Sequence, residues 1–463
     1  MQQNVRRGPP TRQDSWMRRE KNTIPHLLFS YLEDLSHRRC IGIKMGGRFE
    51  YLSYREFYSM VKSFGCALLA ASERNLIRPK CNFAILSENS TEWLVADFGA
   101  LSANMVSVPL YSNLTAHQVA HILVASKAEA IFVSNQEQYE KIKKIAASIP
   151  HLKLLIALDK HLIFDQSLPF KCIHYHDFVA IQREDKNRLS AALTAAMHRQ
   201  QPEDICTIVY TSGTTSDPKG VVLSHKAVLF ASWTSIHLRF VEGLRKSDWP
   251  RLLLFLPLPH VFARLEMISV LVCSGGTVSF AESIDKVPEN LLEVRPNIFA
   301  SIPILYEKIY QRIHEKLDDV GFIKKNMFNW ANFVGRRYHD IMNSGEVIPK
   351  NLAIQYKLAD RLVYSKIRSL FGGQIAAMYS VGAKLPLKVM DFFANHGLLI
   401  SEAYGMTEHP LISCNRLTAI RRGSVGQPLR EVQIAIAPDS EVLVKSKAMM
   451  SGYFEKQIGR AHV

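Results

Sequence analysis

The sequence has no run of like charges, no internal repeat, no low-complexity tract and no cysteine pairing rhythm, and each absence removes a class of protein. Its 7 cysteines, Cys40, Cys66, Cys81, Cys172, Cys206, Cys273 and Cys414, are scattered and form no CxxC. That scatter argues against a disulfide framework and against a zinc site, and it suits a reducing, cytoplasmic compartment. No stretch offers the roughly 18 uninterrupted apolar residues of a spanning helix. Pro257, Pro259, His260 and Arg264 break the most apolar region, so any membrane contact is expected to be peripheral. Residues 1–25 carry Arg6, Arg7, Arg12, Arg18, Arg19 and Lys21 but lack the apolar core of a secretory signal, and they read as a mobile basic extension. The net charge of +15 is spread along the chain, which gives no basic cluster for nucleic acid and points only to anionic ligands or a membrane surface in general.

What is present is apolar mass. With 463 residues and 47% hydrophobic composition, the chain can bury a large core and is expected to divide into two or three packed subdomains. Helical patterns alternate with short β-branched runs, the signature of an α/β architecture. Strands are predicted over Asn82–Ser87, Met105–Tyr111, Ala128–Ser134, Leu152–Asp159, Ile205–Tyr210, Leu252–Pro257, Asn297–Ser301, Gly373–Val381 and Leu398–Gly405. Most are continuously apolar, so helices should cover both faces. Between residues 302 and 371 the period becomes about 3.6, with Leu352, Tyr356, Ala359, Val363, Ile367 and Leu370 on one stripe and Lys357, Arg361, Lys366 and Arg368 off it. That pattern predicts a core-packing helix with a solvated basic face. The last segment predicts strands Glu431–Ala437 and Glu441–Ser446 about a Pro438-Asp439-Ser440 turn.

The stretch from Thr211 to Gly220, TSGTTSDPKG, packs hydroxyls, two glycines and Lys219 into one loop. Glycine lets backbone approach a polyphosphate, amides and hydroxyls donate to its oxygens, and lysine adds a compact charge. A Walker A loop places its lysine after the second glycine and feeds a helix. Here Lys219 precedes Gly220, and Val221, Val222 and Leu223 continue as a strand, which predicts a turn between two strands.

This loop resembles the TSGTTGxPKG phosphate loop of the adenylate-forming superfamily of acyl-CoA synthetases, luciferases and peptide-synthetase adenylation domains. Further segments resembling that family follow in order: LPLPHVF from Leu256 to Phe262, SEAYGMTE from Ser401 to Glu408, and GSVGQPL from Gly423 to Leu429. Upstream, SENSTEW from Ser87 to Trp93 and VPLY from Val108 to Tyr111 are also similar, so the likeness spans residues 26 to 456. The helical insertion ending at Gly373 most resembles long-chain fatty acyl-CoA synthetases. The resemblance implies the large α/β domain of the adenylate-forming fold, stacked α/β subdomains with a small β-rich subdomain, over 26–456.

It also implies roles. Thr211, Ser212, Gly213, Thr214, Thr215 and Lys219 would cradle the β- and γ-phosphates of ATP, Thr407 would meet the α-phosphate, and Glu408 would hold Mg2+. Tyr404 would stack on adenine beside the Gly382-Ala383 backbone, and His260 would position the reacting carboxylate. Taken singly, Glu408 could cap a helix, Tyr404 could be a core aromatic, and His260 a satisfied core side chain. The implied substrates are a long-chain fatty acid, ATP and coenzyme A, with an acyl carrier protein thiol or a non-catalytic nucleotide-binding remnant as alternatives.

Two positions depart from the family pattern: Ser216 stands where glycine is usual, and Val381 where the first glycine of an SGGA-like segment is usual. A serine held at positive φ would cost on the order of 1 kcal/mol. The resemblance further implies a ribose-binding aspartate and a small C-terminal domain with an adenylation lysine, neither of which follows Gly452 in this sequence. Residues 457–463 read as a non-native tail. The chain as written is therefore expected to adenylate slowly.

Overall fold

The continuous apolar runs become strands buried on both faces, and the chain can be followed strand by strand in a computed structural model that describes residues 22–30, 32–211, 218–245 and 248–455. It opens with a hairpin, β1 (Arg39–Met45) and β2 (Arg48–Ser53). Strands alternating with helices follow: β3 (Asn82–Leu86), β4 (Val106–Leu110), β5 (Ala130–Val133), β6 (Leu154–Ala157) and β7 (Lys171–His174). Next come β8 (Ile205–Thr211) and β9 (Lys219–Ser224), then β10 (Arg251–Leu254), β11 (Thr277–Phe280), β12 (Ile298–Ser301), β13 (Ala377–Ser380) and β14 (Ile400–Met406). The last are β15 (His409–Cys414), β16 (Gln427–Pro428), the hairpin β17 (Gln433–Ile436) and β18 (Val442–Lys445), and β19 (Gly452–Tyr453).

These strands build two large sheets. One runs β19-β9-β8-β4-β3-β5-β6-β7, the other β16-β15-β14-β13-β12-β10-β11-β1-β2, and β17 and β18 pair alone as a small β-rich annex. Within the second sheet, β1, β11, β10, β12, β13 and β14 are parallel, while β2, β15 and β16 add antiparallel edges. Parallel neighbours place all their carboxyl ends on one side, where open α/β sheets bind ligands.

Helices Tyr54–Glu73 and Thr91–Ser102 share one large apolar core with the first sheet and the back of the second. The helix Tyr54–Glu73 starts on a reciprocal Ser53/Glu56 capping box, and Ser90 caps Thr91–Ser102 through the amide of Trp93. Two buried ion pairs tie the layers. Arg264 holds Asp97 at 2.6 Å while also donating to Thr207 at 2.6 Å, and Arg239 pairs with Glu266 while its guanidinium lies 4.7 Å over the Tyr379 ring.

All nine strands expected ahead of residue 406 are present, most with shorter ends, while Ile205–Thr211, Arg251–Leu254 and Ile400–Met406 each reach one residue past an expected bound, and the two expected in the tail are present with shorter ends. The long helical region is three helices, Pro303–Asp318, Phe322–Ser344 and Lys350–Ala359, the last continuing through a π-helical turn Asp360–Tyr364 into Ser365–Ser369. Leu352, Ala359, Val363 and Ile367 are buried as the stripe requires and Tyr356 is half-buried, but Leu370 is not part of it: it lies past the helix end and is 38% exposed. The extra residue of the wide turn puts Tyr364 into the core, its hydroxyl donating to the carbonyl of Ala331 at 2.6 Å. Lys357, Arg361 and Lys366 face solvent, and Arg368 is half-buried against Asp360 at 2.5 Å. Among the described residues no helix is long and apolar enough to cross a membrane.

Candidate active site

The loop flanks are strands, as the position of Lys219 before its glycine predicts. β8 and β9 are antiparallel, with Thr211 opposite Lys219 and Tyr210 opposite Gly220. Gly220 is required there by space: a Cβ would lie 2.8 Å from Ile208 Cγ2 and 2.9 Å from the Tyr210 ring. Lys219 is exposed and Thr211 half-buried. Ser212, Gly213, Thr214 and Thr215, with Ser216 and Asp217, lie outside the described residues.

The other half arrives from the second sheet. β14 carries Tyr404, half-buried, and turns through Thr407 and Glu408 into β15. The β14–β15 register shifts between Tyr404 and Met406, and at Gly405 a Cβ would meet the Pro410 carbonyl at 2.4 Å, so only glycine passes the kink. Ser380 of β13 pairs with Glu402 of β14. Two residues on in each parallel strand come Gly382, at φ +83°, and Tyr404, so the proposed base-binding backbone and ring leave neighbouring strand ends together. Val381, the departure from the family pattern, is buried.

The two halves meet on one side chain. Residues 450 to 454 run between the sheets: the Met450 amide donates to the Glu408 carbonyl at 2.8 Å, Ser451 to Val222 at 2.9 Å, and Phe454 to Gly220 at 2.8 Å. Tyr453 therefore reaches both. Its hydroxyl donates to Glu408 Oε1 at 2.7 Å, and Lys219 Nζ lies 5.3 Å from its ring centroid. Burial, then the hydrogen bond to Glu408 and that carboxylate's charge, push the Tyr453 phenol up to about 12. It stays a donor across the physiological range.

His260 sits after β10 as the N-cap of helix Val261–Ile268, its Nδ1 accepting from the Phe262 amide at 3.2 Å. It keeps an exposed edge, but the protein around the ring disfavours imidazolium and lowers its pKa. The turn that carries it is pinned by Asn89, which donates to the Leu256 carbonyl at 2.8 Å and accepts from the Leu258 amide at 2.9 Å. Asn89 lies inside the SENSTEW segment and Tyr453 in none of the segments singled out in the sequence, and neither role follows from sequence alone. Residue spacing does not reveal which distant backbone or carboxylate a side chain will meet.

The AMP-binding enzyme family matches this chain over residues 35–454. Among curated proteins, the long-chain-fatty-acid–CoA ligase ACSBG2 of Xenopus laevis is 28% identical across 79% of this chain and 48% of its own length. FadD15 of Mycobacterium bovis, also named a long-chain-fatty-acid–CoA ligase, is 29% identical across 81% and 59%. The chain thus spans about half the length of the curated relatives it matches. The fold is that of the N-terminal domain of FACL13 from Mycobacterium tuberculosis, with TM-score 0.64 at 18% identity over 94% of this chain and 92% of that one. The anthranilate CoA ligase AuaEII, solved with anthranoyl-AMP, gives TM-score 0.65 at 17% identity over 94% and 71%.

Proposed function

The chain belongs to the AMP-binding enzyme family, and from that premise we propose that it activates a long-chain fatty acid with ATP and passes the acyl group to coenzyme A. In the first step a carboxylate oxygen attacks the α-phosphorus and the bond to the bridging oxygen breaks, releasing pyrophosphate. In the second, the coenzyme A sulfur attacks the acyl carbonyl carbon and AMP leaves. The long-chain substrate rests on the names of the relatives.

One observation carries this reading: Lys219 and Glu408, 189 positions apart in sequence, share Tyr453 as a neighbour. An ammonium and a carboxylate held that way suit one polyphosphate with its cation, the lysine neutralising phosphate oxygens as they take up charge. The donor set fits magnesium. Among the described residues no cluster of three or more His, Cys, Asp or Glu could cage a metal, and magnesium is commonly held by one or two carboxylates together with water and substrate phosphates. When bound, it supplies charge neutralisation on the departing pyrophosphate. Tyr404 and the Gly382-Ala383 backbone hold the adenine, and Thr407 donates to the α-phosphate. The fatty acid is ionised at neutral pH and needs no base. His260, kept neutral by its surroundings, orients the carboxylate without adding a competing charge.

Fluorescence titration with an ATP analogue tests the site. Lys219→Ala is expected to weaken binding at least about tenfold, a loss of roughly 1.4 kcal/mol. Glu408→Gln is expected to remove the enhancement by magnesium while sparing metal-free binding. Nucleotide affinity indifferent to both changes would sink the reading. Exchange of labelled pyrophosphate into ATP that depends on palmitate and not on acetate checks the acid class.

A further inference from the structure

We propose that a cavity at the other end of the second sheet, remote from Glu408, binds a phosphate-class dianion. β1, β10 and β11 are parallel neighbours, so their first residues, Arg39, Arg251 and Thr277, stand side by side at the amino ends of the strands. His260 and Gly382 follow carboxyl ends, and Tyr404 lies in the carboxyl half of β14. The two sites are therefore on opposite edges of one sheet.

The cavity encloses about 310 Å³ and is lined by Arg39, Arg251 and Arg295 together with Tyr51, Thr277 and Ser279. Among the described residues none of the three arginines forms an ion pair. Arg251 Nε donates to the Arg295 carbonyl at 3.2 Å, Arg295 Nε to the Gly372 carbonyl at 3.0 Å, and the Arg39 guanidinium stacks 4.7 Å over the Tyr51 ring. Those contacts engage Nε or the flat face of each guanidinium, and among the described residues none of their terminal nitrogens has a hydrogen-bond partner. Glu293, the one carboxylate among the lining residues, is taken by Lys44. Burial lowers the Arg251 pKa; Asp248 and Tyr51 oppose that shift and Arg295 adds to it.

A second observation points the same way. Ser279 is 1% exposed, and among the described residues its hydroxyl has no hydrogen-bond partner although it lines the cavity. Room in front of it is kept by Gly42, its partner on β1, where a Cβ would lie 2.5 Å from Ser279 Oγ and 2.7 Å from the Tyr51 ring. Arg39 and Arg295 reach solvent and Arg251 is half-buried, so water can hydrate their charges when the cavity is empty, and the costly group is the buried Ser279 hydroxyl. A tetrahedral dianion answers all four groups, because guanidinium forks match phosphate oxygens and a hydroxyl can donate to another. The volume suits a phosphomonoester head, whether soluble or on a lipid.

Calorimetric titration of the chain with inorganic phosphate, in a Lys219→Ala background to silence the nucleotide site, is expected to show one saturable site. Arg295→Gln and Arg251→Gln should each weaken it about tenfold. Ser279→Ala, which leaves charge untouched, should weaken it about threefold, and it keeps the test decisive if an arginine variant fails to fold. Co-sedimentation with phosphatidylcholine vesicles, with and without phosphatidic acid, separates the sources. Sedimentation that needs phosphatidic acid and Arg295 assigns a headgroup, and saturable free-phosphate binding alone assigns a soluble ligand. No binding of either probe, or binding indifferent to Arg295→Gln and Ser279→Ala, overturns the proposal.

Discussion

Tyr453 holds one oxygen of Glu408 and, among the described residues, the other has no partner, which suits an outer residue fixing a carboxylate in the metal-holding role proposed for Glu408. Tyr453→Phe is expected to raise the magnesium concentration for half-maximal nucleotide binding about tenfold, within the range for loss of such partners, with little change in melting temperature. An unchanged magnesium requirement would reduce Tyr453 to packing. His225 shows the opposite use of a polar side chain. It is buried, accepts at Nδ1 from the Ile24 amide at 3.3 Å, and its pKa is lowered to about 3, first by burial and then by Arg264. Its folded pKa lies below its unfolded value, so between about pH 6.5 and 3 the unfolded chain binds the extra proton. Stability is then full above pH 6.5 and falls as pH drops through that window. His225→Gln, compared by denaturant unfolding at pH 7 and pH 5, should flatten the decline; an unaltered slope would remove His225 as a cause. The TSGTT…PKG and YGMTE runs could be singled out in the sequence because their signal is local, though of the first run only Thr211, Pro218, Lys219 and Gly220 lie among the described residues. Tyr453 could not, since its partners are 45 and 234 positions away.

Elements were legible in proportion to their apolar continuity. β3, β5, β6 and β12 are buried along nearly their whole length, and a run of Val, Ile, Leu and Ala announces that plainly. β2 and β7 are half-exposed mixed-polarity strands at sheet edges, and β11 is four residues long behind Gly275 and Gly276, so neither period nor length marks them. Leu370 left its stripe because the helix ends at Ser369, one residue short of it, an end that the apolar spacing does not mark. At this scale the Asn89 clamp makes a prediction. Asn89→Ala removes both bonds holding the Leu256–Leu258 turn and strands two backbone groups, which should cost about 2 kcal/mol in denaturant unfolding. Asn89→Asp keeps the acceptor for the Leu258 amide but cannot donate to the Leu256 carbonyl, so its loss should be intermediate. Equal losses for both variants would show that the amide group acts only by filling space.

The whole molecule poses a different question, whether two sheets packed about a shared core act as one binding device. Lys219 begins β9 of the first sheet, Glu408 follows β14 of the second, and the strand β19 joins β9 while residue 450 holds the backbone of Glu408. If a single nucleotide with its magnesium spans both, the losses from Lys219→Ala and Glu408→Gln cannot be independent, because either alone already breaks the bridge. A double-mutant cycle on nucleotide affinity is therefore expected to show a coupling of about 1 kcal/mol or more, against the few tenths seen for sites that share no partner. Tyr453 couples the two residues even without ligand, so the cycle is repeated in a Tyr453→Phe background. Coupling that persists there belongs to the nucleotide. Coupling that vanishes belongs to the tyrosine, and additive losses in both backgrounds would mean that Lys219 and Glu408 serve two different sites.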